Sequence, residues 1–393
     1  MALPVRRVHD HDADRMRGLL KIAFKLLVND RGKFFALLIG ITFAVFLMVM
    51  MTSVFAGILR KSSSTVTNTG AKMWVMDRSV NNVLSSIPMP DYVLDGVRSI
   101  PGVKYAVPLY SGAGLVRLAN GEYQPATIVG LDDTSLLGRP NMIAGNVEDV
   151  YADDSVIAVV DSEYPKLHAP QVGTTFEIND RRAVVVGLAE VPESGLFGLP
   201  TLYTTYNRAT EYVPSGRYTI SYVLVEPDSP AAIPSIEAAV YALGYVARTD
   251  EQFRELIADY YKFHTGLGTN ILLMTAISFL VGLSISGQTF YAFVLENLER
   301  FGALKAIGAK GRELVYMILF MVGVTSLAGY GLGIGLCTLM ITLAKWRIAE
   351  YASVVTYGNL ALAFGMVLVI AAVSSYIGIR RVLRIEPFDI FRS

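Results

Sequence analysis

Residues 34–59 read FFALLIGITFAVFLMVMMTSVFAGIL, an apolar run that contains no Asp, Glu, Lys or Arg. Three more such stretches follow at 265–295, 314–344 and 351–379, and each is 29 to 31 residues long. A helix needs about 20 apolar residues to cross a bilayer, so all four stretches are long enough, with tilt or protruding ends. A hydrophobic helix inside a soluble core rarely reaches this length. The four stretches therefore predict four transmembrane helices.

The composition agrees with a membrane protein. Of the 393 residues 53% are hydrophobic and 17% are charged, whereas soluble domains carry about 25% charged residues. The net charge is zero, but residues 60–265 hold 16 basic and 24 acidic residues and the rest of the chain holds 18 basic and 10 acidic. A nucleic-acid binder carries its basic surplus on a folded domain, so no nucleic-acid partner is expected. The single cysteine, Cys337, excludes a disulfide framework and a Cys-cluster metal site.

Basic residues flank the apolar stretches unevenly. Residues 1–33 contain eight Lys or Arg, the 296–313 connection contains four and the 380–393 tail contains four. The connection between the third and fourth stretches has only Lys345 and Arg347. Short cytoplasmic loops are the ones enriched in Lys and Arg. Both termini and the 296–313 connection are therefore predicted to be cytoplasmic, and the acidic 60–264 region is predicted to lie outside.

The predicted organisation follows from these boundaries. It comprises a cytoplasmic tail with an interfacial helix (1–33), helix 1 (34–59), an extracytoplasmic α+β domain (60–264), helix 2 (265–295), a cytoplasmic coupling segment (296–313), helix 3 (314–344), a short external loop (345–350), helix 4 (351–379) and a cytoplasmic tail (380–393). The fold class is thus an α-helical membrane protein with four transmembrane helices and an α+β domain inserted between helices 1 and 2.

The stretch before helix 1 has an apolar face at helical spacing. That face consists of Leu19, Leu20, Ala23, Leu26 and Leu27. Lys21, Lys25 and Arg31 lie toward water and lipid headgroups in such a helix, which predicts an interfacial helix along the inner surface. The alternative is a basic stop signal with no separate helix.

Strand and helix patterns alternate in the 60–264 region. The run 113–131 is a hairpin pattern with a favoured two-residue turn at Asn120-Gly121, and 175–188 is a second hairpin that turns at Asn179-Asp180. Helices are expected around 91–99 and 231–243. The run 251–264 predicts a continuous helix that leads directly into helix 2.

No catalytic, cofactor or metal site is predicted. His168 and His264 are isolated in sequence, and the His-Asp alternation at 9–12 lies in a polar terminal tail. There is no phosphate-binding loop of the form G-x-x-x-x-G-K-[ST]. The apolar stretches contain none of the charged residues that ion-coupled carriers usually keep inside the membrane. The chain is therefore not expected to be an enzyme, and energy for any transport would come from another polypeptide.

Glycines in helix 3 allow a second helix to approach closely. The run GYGLGIG places Gly329 four residues before Gly333, and Gly331 four residues before Gly335. This small-xxx-small spacing is typical of helix contacts in membranes. The neighbouring helix is either in the same chain, which we favour, or in a second copy.

The connection between helices 2 and 3, ENLERFGALKAIGAKGREL, is the most specific feature of the sequence. Phe301, Leu304 and Ile307 recur at near-helical spacing, and Gly308 can end the helix. Such a short helix suits insertion into a groove on a soluble partner, although a membrane-surface turn is the alternative. The predicted site comprises Glu299, Arg300, Phe301, Gly302, Ala303, Leu304, Lys305, Ala306, Ile307, Gly308 and Ala309.

The same run resembles the permease subunits of MacB/FtsX-type (type VII) ABC transporters, in which the second span is followed by E-R-x-x-E-x-G-x-L-K-A-x-G-A. The run from Glu299 to Ala309 matches the second half of this motif closely, and it departs by having Phe301-Gly302 where an acid and another residue commonly precede the glycine. The tail RRVLRIEPFDIFRS is similar to the family ending R-R-x-x-x-x-D-P-x-x-x-L-R, with Glu386-Pro387 in place of Asp-Pro. The start of the outer domain, IPGVKYAVPLY, and the overall topology are similar too.

The resemblance implies a bacterial inner-membrane permease with a MacB-like periplasmic domain, a second permease copy and a separate cytoplasmic ATPase on each copy. Residues 299–309 would form the coupling helix that docks on the ATPase. ATP-driven closure of the ATPases would then move the helices and the outer domains, which is called mechanotransmission. A permease of this length with a separate ATPase resembles the DevC-like branch of the family, whose members work with a membrane-fusion protein.

The resemblance leaves more than one function open. The first is export driven by the ATPase partner. The second is a scaffold of FtsX type that passes ATPase cycles to an extracytoplasmic hydrolase, and the third is extraction of lipids or lipoproteins. The substrate, and the choice between a homodimer and a heterodimer, do not follow from the fold.

Overall fold

The structure is a computed structural model that describes residues 6–83, 85–193, 195, 198–213, 220–348 and 351–384, with side chains from residue 15 onward. The side chains of 9–12 and the Glu386-Pro387 part of the tail motif lie outside the described residues. The helices are α1 Arg6–Asn29, α2 Arg31–Ser62, α3 Ser64–Thr69, α4 Tyr92–Arg98, α5 Tyr206–Tyr212, α6 Ile233–Ala242, α7 Asp250–Asp259, α8 Gly266–Glu296, α9 Leu298–Ala306, α10 Gly311–Arg347 and α11 Tyr357–Leu383.

The strands lie in the chain between α3 and α7. They are β1 Met73–Met76, β2 Val103–Arg117, β3 Tyr123–Leu131, β4 Asn141–Ala144, β5 Ser155–Val159, β6 Thr175–Ile178, β7 Arg181–Glu190, β8 Thr201–Thr205, β9 Tyr222–Pro227 and β10 Val246–Thr249. The chain divides into a membrane unit (Met1–Ala56, Asn270–Trp346, Ser353–Ser393) and an α+β unit (Gly57–Thr269, Arg347–Ala352).

Four helices of the described chain, α2, α8, α10 and α11, are long and apolar enough to cross a membrane. They occur where the four apolar stretches predicted them. α11 begins six residues later than the predicted boundary at 351, because the Thr356 side chain accepts a hydrogen bond from the Asn359 backbone N–H at 3.2 Å and caps the helix there.

Glycines bring α2 and α8 into close contact inside the membrane unit. A Cβ at Gly40 would lie 2.7 Å from Ile285 Cγ2, and a Cβ at Gly282 would lie 2.4 Å from Ala44 Cβ. Both distances are too short for real carbon atoms, so only glycine fits. In lipid the hydrophobic effect does not drive helix association, and small residues instead allow close van der Waals packing between helices.

The α1 helix is present, but its apolar face contacts protein. Leu19, Ala23 and Leu27 are at most 8% exposed, and they pack in a cluster with Phe293 of α8 and Leu314 of α10. The predicted face is therefore buried by the chain's own membrane unit. Among the large apolar side chains of α1, Ile22, Phe24 and Val28 are exposed.

The strands form a ten-stranded mixed sheet in the order β10-β1-β9-β2-β3-β8-β5-β7-β4, and β6 pairs with β2 and β7. The 15-residue β2 joins the two halves of this sheet, because Val103–Leu109 pairs with β9 and Tyr110–Arg117 pairs with β3. The pairs β3–β8 and β5–β7 are parallel. Helices α4 and α6 pack on one side through Val93, Val97 and Ile236.

The two hairpin turns differ from each other. Asn179 and Asp180 both have positive φ angles, +46° and +64°, and form the predicted two-residue turn. At Asn120-Gly121 the prediction of a two-residue turn was wrong. The Gly121 N–H bonds to Leu118 O at 2.9 Å and Leu118 N–H bonds to Glu122 O at 2.8 Å, so three residues form the loop. The φ of +85° at Gly121 supplies the left-handed residue that such loops need.

The predicted helix over 251–264 is present, but the prediction that it leads directly into helix 2 was wrong. α7 ends at Asp259, a π-helical turn covers Tyr260–His264, and Thr265 is extended with φ −117° and ψ 155° before α8 begins. A Cβ at Gly268 would lie only 2.0 Å from the Lys262 carbonyl oxygen. The start of α8 thus packs against the π-helical turn, which a straight helix would not allow.

Candidate functional site: the connection between the second and third spans

The connection begins with a sharp corner at Asn297, between α8 and α9. Asn297 has φ −96° and ψ 7°, and its side chain is 3% exposed. Its amide donates to the Phe293 carbonyl at 2.9 Å, while its side-chain oxygen accepts from Arg300 Nη1 at 2.8 Å. The asparagine therefore satisfies a carbonyl at the end of α8 and a side chain at the start of α9, which holds the two helices at a defined angle.

Phe301 anchors α9 to the membrane unit. Its side chain is 0% exposed and belongs to the cluster that contains Phe290, Leu314 and Leu27. Gly302 beside it is buried too. The predicted exposed edge of Phe301, Leu304 and Ile307 is therefore wrong in its first member, and Leu304 is only partly exposed because it packs on the same cluster.

A hydrogen-bonded turn with a left-handed glycine ends α9. Gly308 has φ +101°, its N–H bonds to Lys305 O at 3.1 Å, and the Ala309 N–H bonds to Leu304 O at 2.9 Å. This pattern is a Schellman motif, in which the residue after the glycine also makes an apolar contact with the helix. Ala309 and Leu304 both pack against the same buried cluster. The motif leaves Ile307 85% exposed at the tip.

Arg15 of α1 holds this tip in place. Its Nη2 donates to the Gly308 carbonyl at 2.9 Å and lies 3.4 Å from Glu313 Oε2. Glu313 accepts a hydrogen bond from the Lys310 backbone N–H at 2.8 Å, which caps the start of α10. α1 therefore contacts the turn between α9 and α10, although Arg15 and Gly308 are 293 residues apart in sequence. Sequence reasoning missed Arg15 and Asn297, since only the fold places them there.

The exposed side of the site combines small, charged and apolar residues. These residues are Glu299, Arg300, Ala303, Ala306, Ile307 and Gly308. Lys305 is partly exposed and donates to the Leu383 carbonyl at the end of α11, at 3.4 Å. The small side chains of Ala303 and Ala306 leave the α9 backbone accessible near the exposed Ile307, as in helices that bind in a groove.

The helix-packing glycines of α10 separate into two pairs. A Cβ at Gly329 would lie 2.7 Å from Ile41 Cγ2, and a Cβ at Gly333 would lie 2.7 Å from Val45 Cβ, so this pair faces α2 of the same chain. A Cβ at Gly331 or at Gly335 would meet no heavy atom within 4 Å. The second pair therefore makes no close helix contact within the described chain.

A polar cleft in the α+β unit contains buried carboxyl groups. Lys61, Asn68, Asp161 and Glu193 line it, and Asn68 donates to the Glu193 carbonyl at 2.8 Å. Burial raises the pKa of the Asp161 carboxyl, and the negative charge of Glu163 adds to this effect, while the Glu163 backbone N–H and Lys61 oppose it. Among the described residues no group of three His, Cys, Asp or Glu could hold a metal ion.

Comparison with known proteins gives consistent results along the chain. The family model of the MacB-like periplasmic core domain matches residues 34–243, and the model of the FtsX-like permease C-terminal region matches residues 272–387. An uncharacterised ABC transporter permease of Mycobacterium tuberculosis H37Rv is 24% identical over 87% of this chain and 90% of its own. A second uncharacterised ABC transporter permease of that strain is 23% identical over 88% of this chain and 91% of its own.

Solved structures with similarity to this chain include two outer domains. The periplasmic region of MacB from Actinobacillus actinomycetemcomitans is 16% identical, covers 48% of this chain and 92% of its own, and has a TM-score of 0.37. The extracellular domain of the noncanonic ABC-type transporter YknZ from Gram-positive bacteria is 15% identical, covers 46% of this chain and 98% of its own, and has a TM-score of 0.35. With a core-domain match over more than half of its residues and an FtsX-like region after it, this multi-pass membrane protein belongs to the MacB/FtsX-type family of ABC transporter permeases.

Proposed function

We propose that this chain is the membrane subunit of an ATP-driven exporter in the bacterial inner membrane. The ATPase is a separate cytoplasmic chain, two permease copies form the complex, and a periplasmic membrane-fusion protein is a candidate partner. The relatives support the permease part, because they are named ABC transporter permeases. ATP hydrolysis by a partner is in keeping with the absence of a phosphate-binding loop from the sequence.

The orientation in this proposal rests on the basic residues. Residues 1–33 contain eight Lys or Arg, and residues 296–313 contain four. These flanks are short enough for the positive-inside rule to apply. The termini and α9 are thus cytoplasmic in our proposal, and the α+β unit, which the chain places between α2 and α8, is periplasmic.

The observation that carries the proposal is the way α9 is presented. The buried side chain of Phe301 anchors α9 to the membrane unit, and the hydrogen bond from Arg15 to the Gly308 carbonyl holds the end of the helix. Ile307 is left 85% exposed although it is a large apolar residue. A helix that is held rigidly and exposes a large apolar side chain suits a protein contact, because little conformational entropy is lost on binding. We assign this surface to the ATPase.

Mechanotransmission is the mode of action that we propose. α2 and α8 each begin in one of the two units and end in the other, so both can carry a displacement of α9 along the chain. α7 and the π-helical turn lie directly before α8 and pack in the core of the α+β unit through Phe253, Ile257 and Tyr261. The chain thus connects the docking surface to the outer domain without an extended linker.

The test uses Ile307→Asp in the full-length permease, co-purified with its ATPase and reconstituted in vesicles. Substitution of a central apolar contact by a charge weakens an interface by about 2 kcal/mol or more, which is about thirtyfold in affinity. We expect the ATPase to dissociate and permease-stimulated ATP turnover to fall by at least about tenfold. Ile143→Asp is the matched control, because Ile143 is 55% exposed on β4 of the α+β unit.

Ile307→Asp is a cleaner probe than a change at Leu304, whose partial burial would confound folding with docking. Retention of the ATPase and of full turnover by Ile307→Asp would contradict the assignment of this surface. Recovery of no ATPase with the wild-type chain in mild detergent would contradict the permease–ATPase proposal itself.

A further inference from the structure

A groove runs between α10 and α11 on the surface of the membrane unit. It has a volume of about 360 Å³, which lies in the lower part of the range of about 300–1,000 Å³ for sites that bind small molecules. Except for Ser326 its lining is apolar. The lining residues are Phe320, Gly323, Val324, Ser326, Leu327, Phe364, Val367, Leu368 and Ala371.

Contacts at both ends of the groove fix its width. At the end far from α9, the Tyr330 hydroxyl donates to the Leu360 carbonyl at 3.0 Å, and its ring meets Phe364 edge-on with centroids 5.3 Å apart. At the other end Leu383 lies against Gly311, where a Cβ would be 3.1 Å from its Cδ2. The gap between these contacts is therefore a property of the packed helices.

The floor and walls of the groove are shaped for hydrocarbon. Val367 is 2% exposed and forms the floor, whereas Phe364 and Leu368 are 40% and 52% exposed and form a wall. At Gly323 the opposite wall has no side chain, and a Cβ there would meet no heavy atom within 4 Å. Apolar surface of this kind at membrane depth faces lipid chains or another apolar helix.

A cation and an aromatic residue continue the groove face of α10 toward α9. Arg312, Tyr316 and Phe320 follow each other at four-residue spacing, so they lie on one helix face. Arg312 is 15 residues before Leu327, which is about 22 Å at 1.5 Å per residue. One leaflet contributes about 15 Å of the 30 Å hydrocarbon core, so Arg312 reaches headgroup depth when Leu327 is near the midplane. Tyr316 is 50% exposed, as interfacial tyrosines are.

We propose that this groove binds one acyl chain of an anionic glycerophospholipid from the leaflet on the α9 side, with its phosphate on Arg312. A second copy of the chain is the less suitable occupant. The Tyr330–Phe364 contact closes the groove at the end far from α9, so a spanning helix cannot lie along its whole length, whereas a lipid chain that enters through the open side of the groove can end there. Binding of this lipid does not depend on the proposed ATPase contact.

The experiment is native mass spectrometry of the purified full-length permease alone, after exchange into mixed micelles of dioleoyl phosphatidylglycerol and dioleoyl phosphatidylcholine. We expect the wild-type chain to retain phosphatidylglycerol preferentially. Gly323→Leu fills the groove without a clash and should lower retention of both lipids at least about fivefold. Gly331→Leu, the same change in open space on α10 outside the groove lining, should leave retention unchanged.

Arg312→Gln separates the headgroup contact from the acyl-chain contact. One Lys or Arg near the surface contributes about 1 kcal/mol toward anionic lipids, so the preference for phosphatidylglycerol should fall about fivefold while phosphatidylcholine retention persists. Equal lipid retention by wild type and Gly323→Leu would overturn the proposal. A loss of dimers with Gly323→Leu at unchanged lipid retention would also overturn it and would make the groove an interface between copies. ATPase docking is measured separately, so either proposal can fail without the other.

Discussion

Arg15 donates a hydrogen bond of 2.9 Å to the carbonyl of Gly308, across 293 residues of sequence. The carbonyl belongs to the turn that ends α9, and Arg15 belongs to the helix that precedes the first span. The amino-terminal helix α1 therefore helps to hold in place the turn next to Ile307. In the proposed exporter, a load on α9 from the ATPase would pass to α1 as well as to α8 and α10.

Arg15→Ala should weaken coupling while leaving the fold intact. A hydrogen bond from a charged group to a carbonyl contributes about 1.5–3 kcal/mol, and half-exposure of the Arg15 side chain places its value at the low end. We expect permease-stimulated ATP turnover to fall about fivefold in vesicles, with a melting temperature lowered by only a few degrees. The control is Arg17→Ala. Arg17 is exposed and lies two residues further along α1, so this variant should retain wild-type turnover. Equal turnover in both variants would contradict the role of Arg15 in holding the end of α9.

Phe301→Ala should destabilise the membrane unit itself. The side chain is fully buried in the cluster that joins α1, α8, α9 and α10. Removal of a buried phenylalanine leaves a cavity and costs about 3–5 kcal/mol. Thermal unfolding in detergent should show a clearly lower midpoint, whereas Ile307→Ala should unfold like the wild type because Ile307 is exposed. An unchanged midpoint for Phe301→Ala would mean that α9 is not anchored as described.

Sequence periodicity predicted the helix α9 but could not show which of its sides is buried. Phe301, Leu304 and Ile307 share one face of an ideal helix, so a helical pattern alone treats them as equivalent. The helix ends at Ala306, and the left-handed Gly308 turns the chain, which leaves Phe301 buried and Ile307 exposed. Which side of an amphipathic segment is covered depends on tertiary partners, here α1 and α10, that no local pattern contains.

The α+β unit shows the same limit. The hairpin at Asn179-Asp180 was predictable because both residues tolerate positive φ. β1, which reads Met-Trp-Val-Met, was missed since its four residues are all buried and show no alternation. The break at Thr265 was missed for another reason: hydropathy does not report the close approach of Gly268 to the Lys262 carbonyl, six residues earlier. The four spans were predicted well, because length and hydropathy alone determine them.

Gly268→Ala should disturb the junction between α7 and α8. A Cβ at this position would lie 2.0 Å from the Lys262 carbonyl oxygen, so the junction must open or the π-helical turn must shift. Such overpacking typically costs about 1–3 kcal/mol. Hydrogen–deuterium exchange should become faster at Tyr260–His264 than in the wild type. Gly365→Ala on α11, where a Cβ meets no heavy atom within 4 Å, is the control that should exchange like the wild type.

Asp161→Asn should stabilise the chain near pH 7. The folded pKa of Asp161 is raised, first by burial and then by the charge of Glu163, so the folded state favours the neutral carboxyl. The stability that the neutral Asp161 carboxyl contributes is fully present below the unfolded pKa of 3.8 and is lost as the pH rises through the raised pKa of the folded state. Asparagine avoids that loss. The melting temperature of Asp161→Asn should exceed that of the wild type at pH 7 and converge with it near pH 4. A constant difference between the two pH values would contradict a titrating carboxyl.

Gly333→Leu should separate α10 from α2. A Cβ at Gly333 would lie 2.7 Å from Val45 Cβ and 2.9 Å from the Thr42 carbonyl oxygen, and both belong to a helix that is itself closely packed against α8. The backbone cannot yield without moving that whole contact, so we expect poor membrane yield and a sharply lower melting temperature. Gly335→Leu makes the same change two residues further along, where a Cβ meets no heavy atom within 4 Å, and it should express and melt like the wild type. If Gly335→Leu were the more damaging of the two, or if it dissociated a dimer that Gly333→Leu left intact, the second glycine pair would be in contact with another chain, and the packing of α10 on α2 would not be the main constraint on this helix.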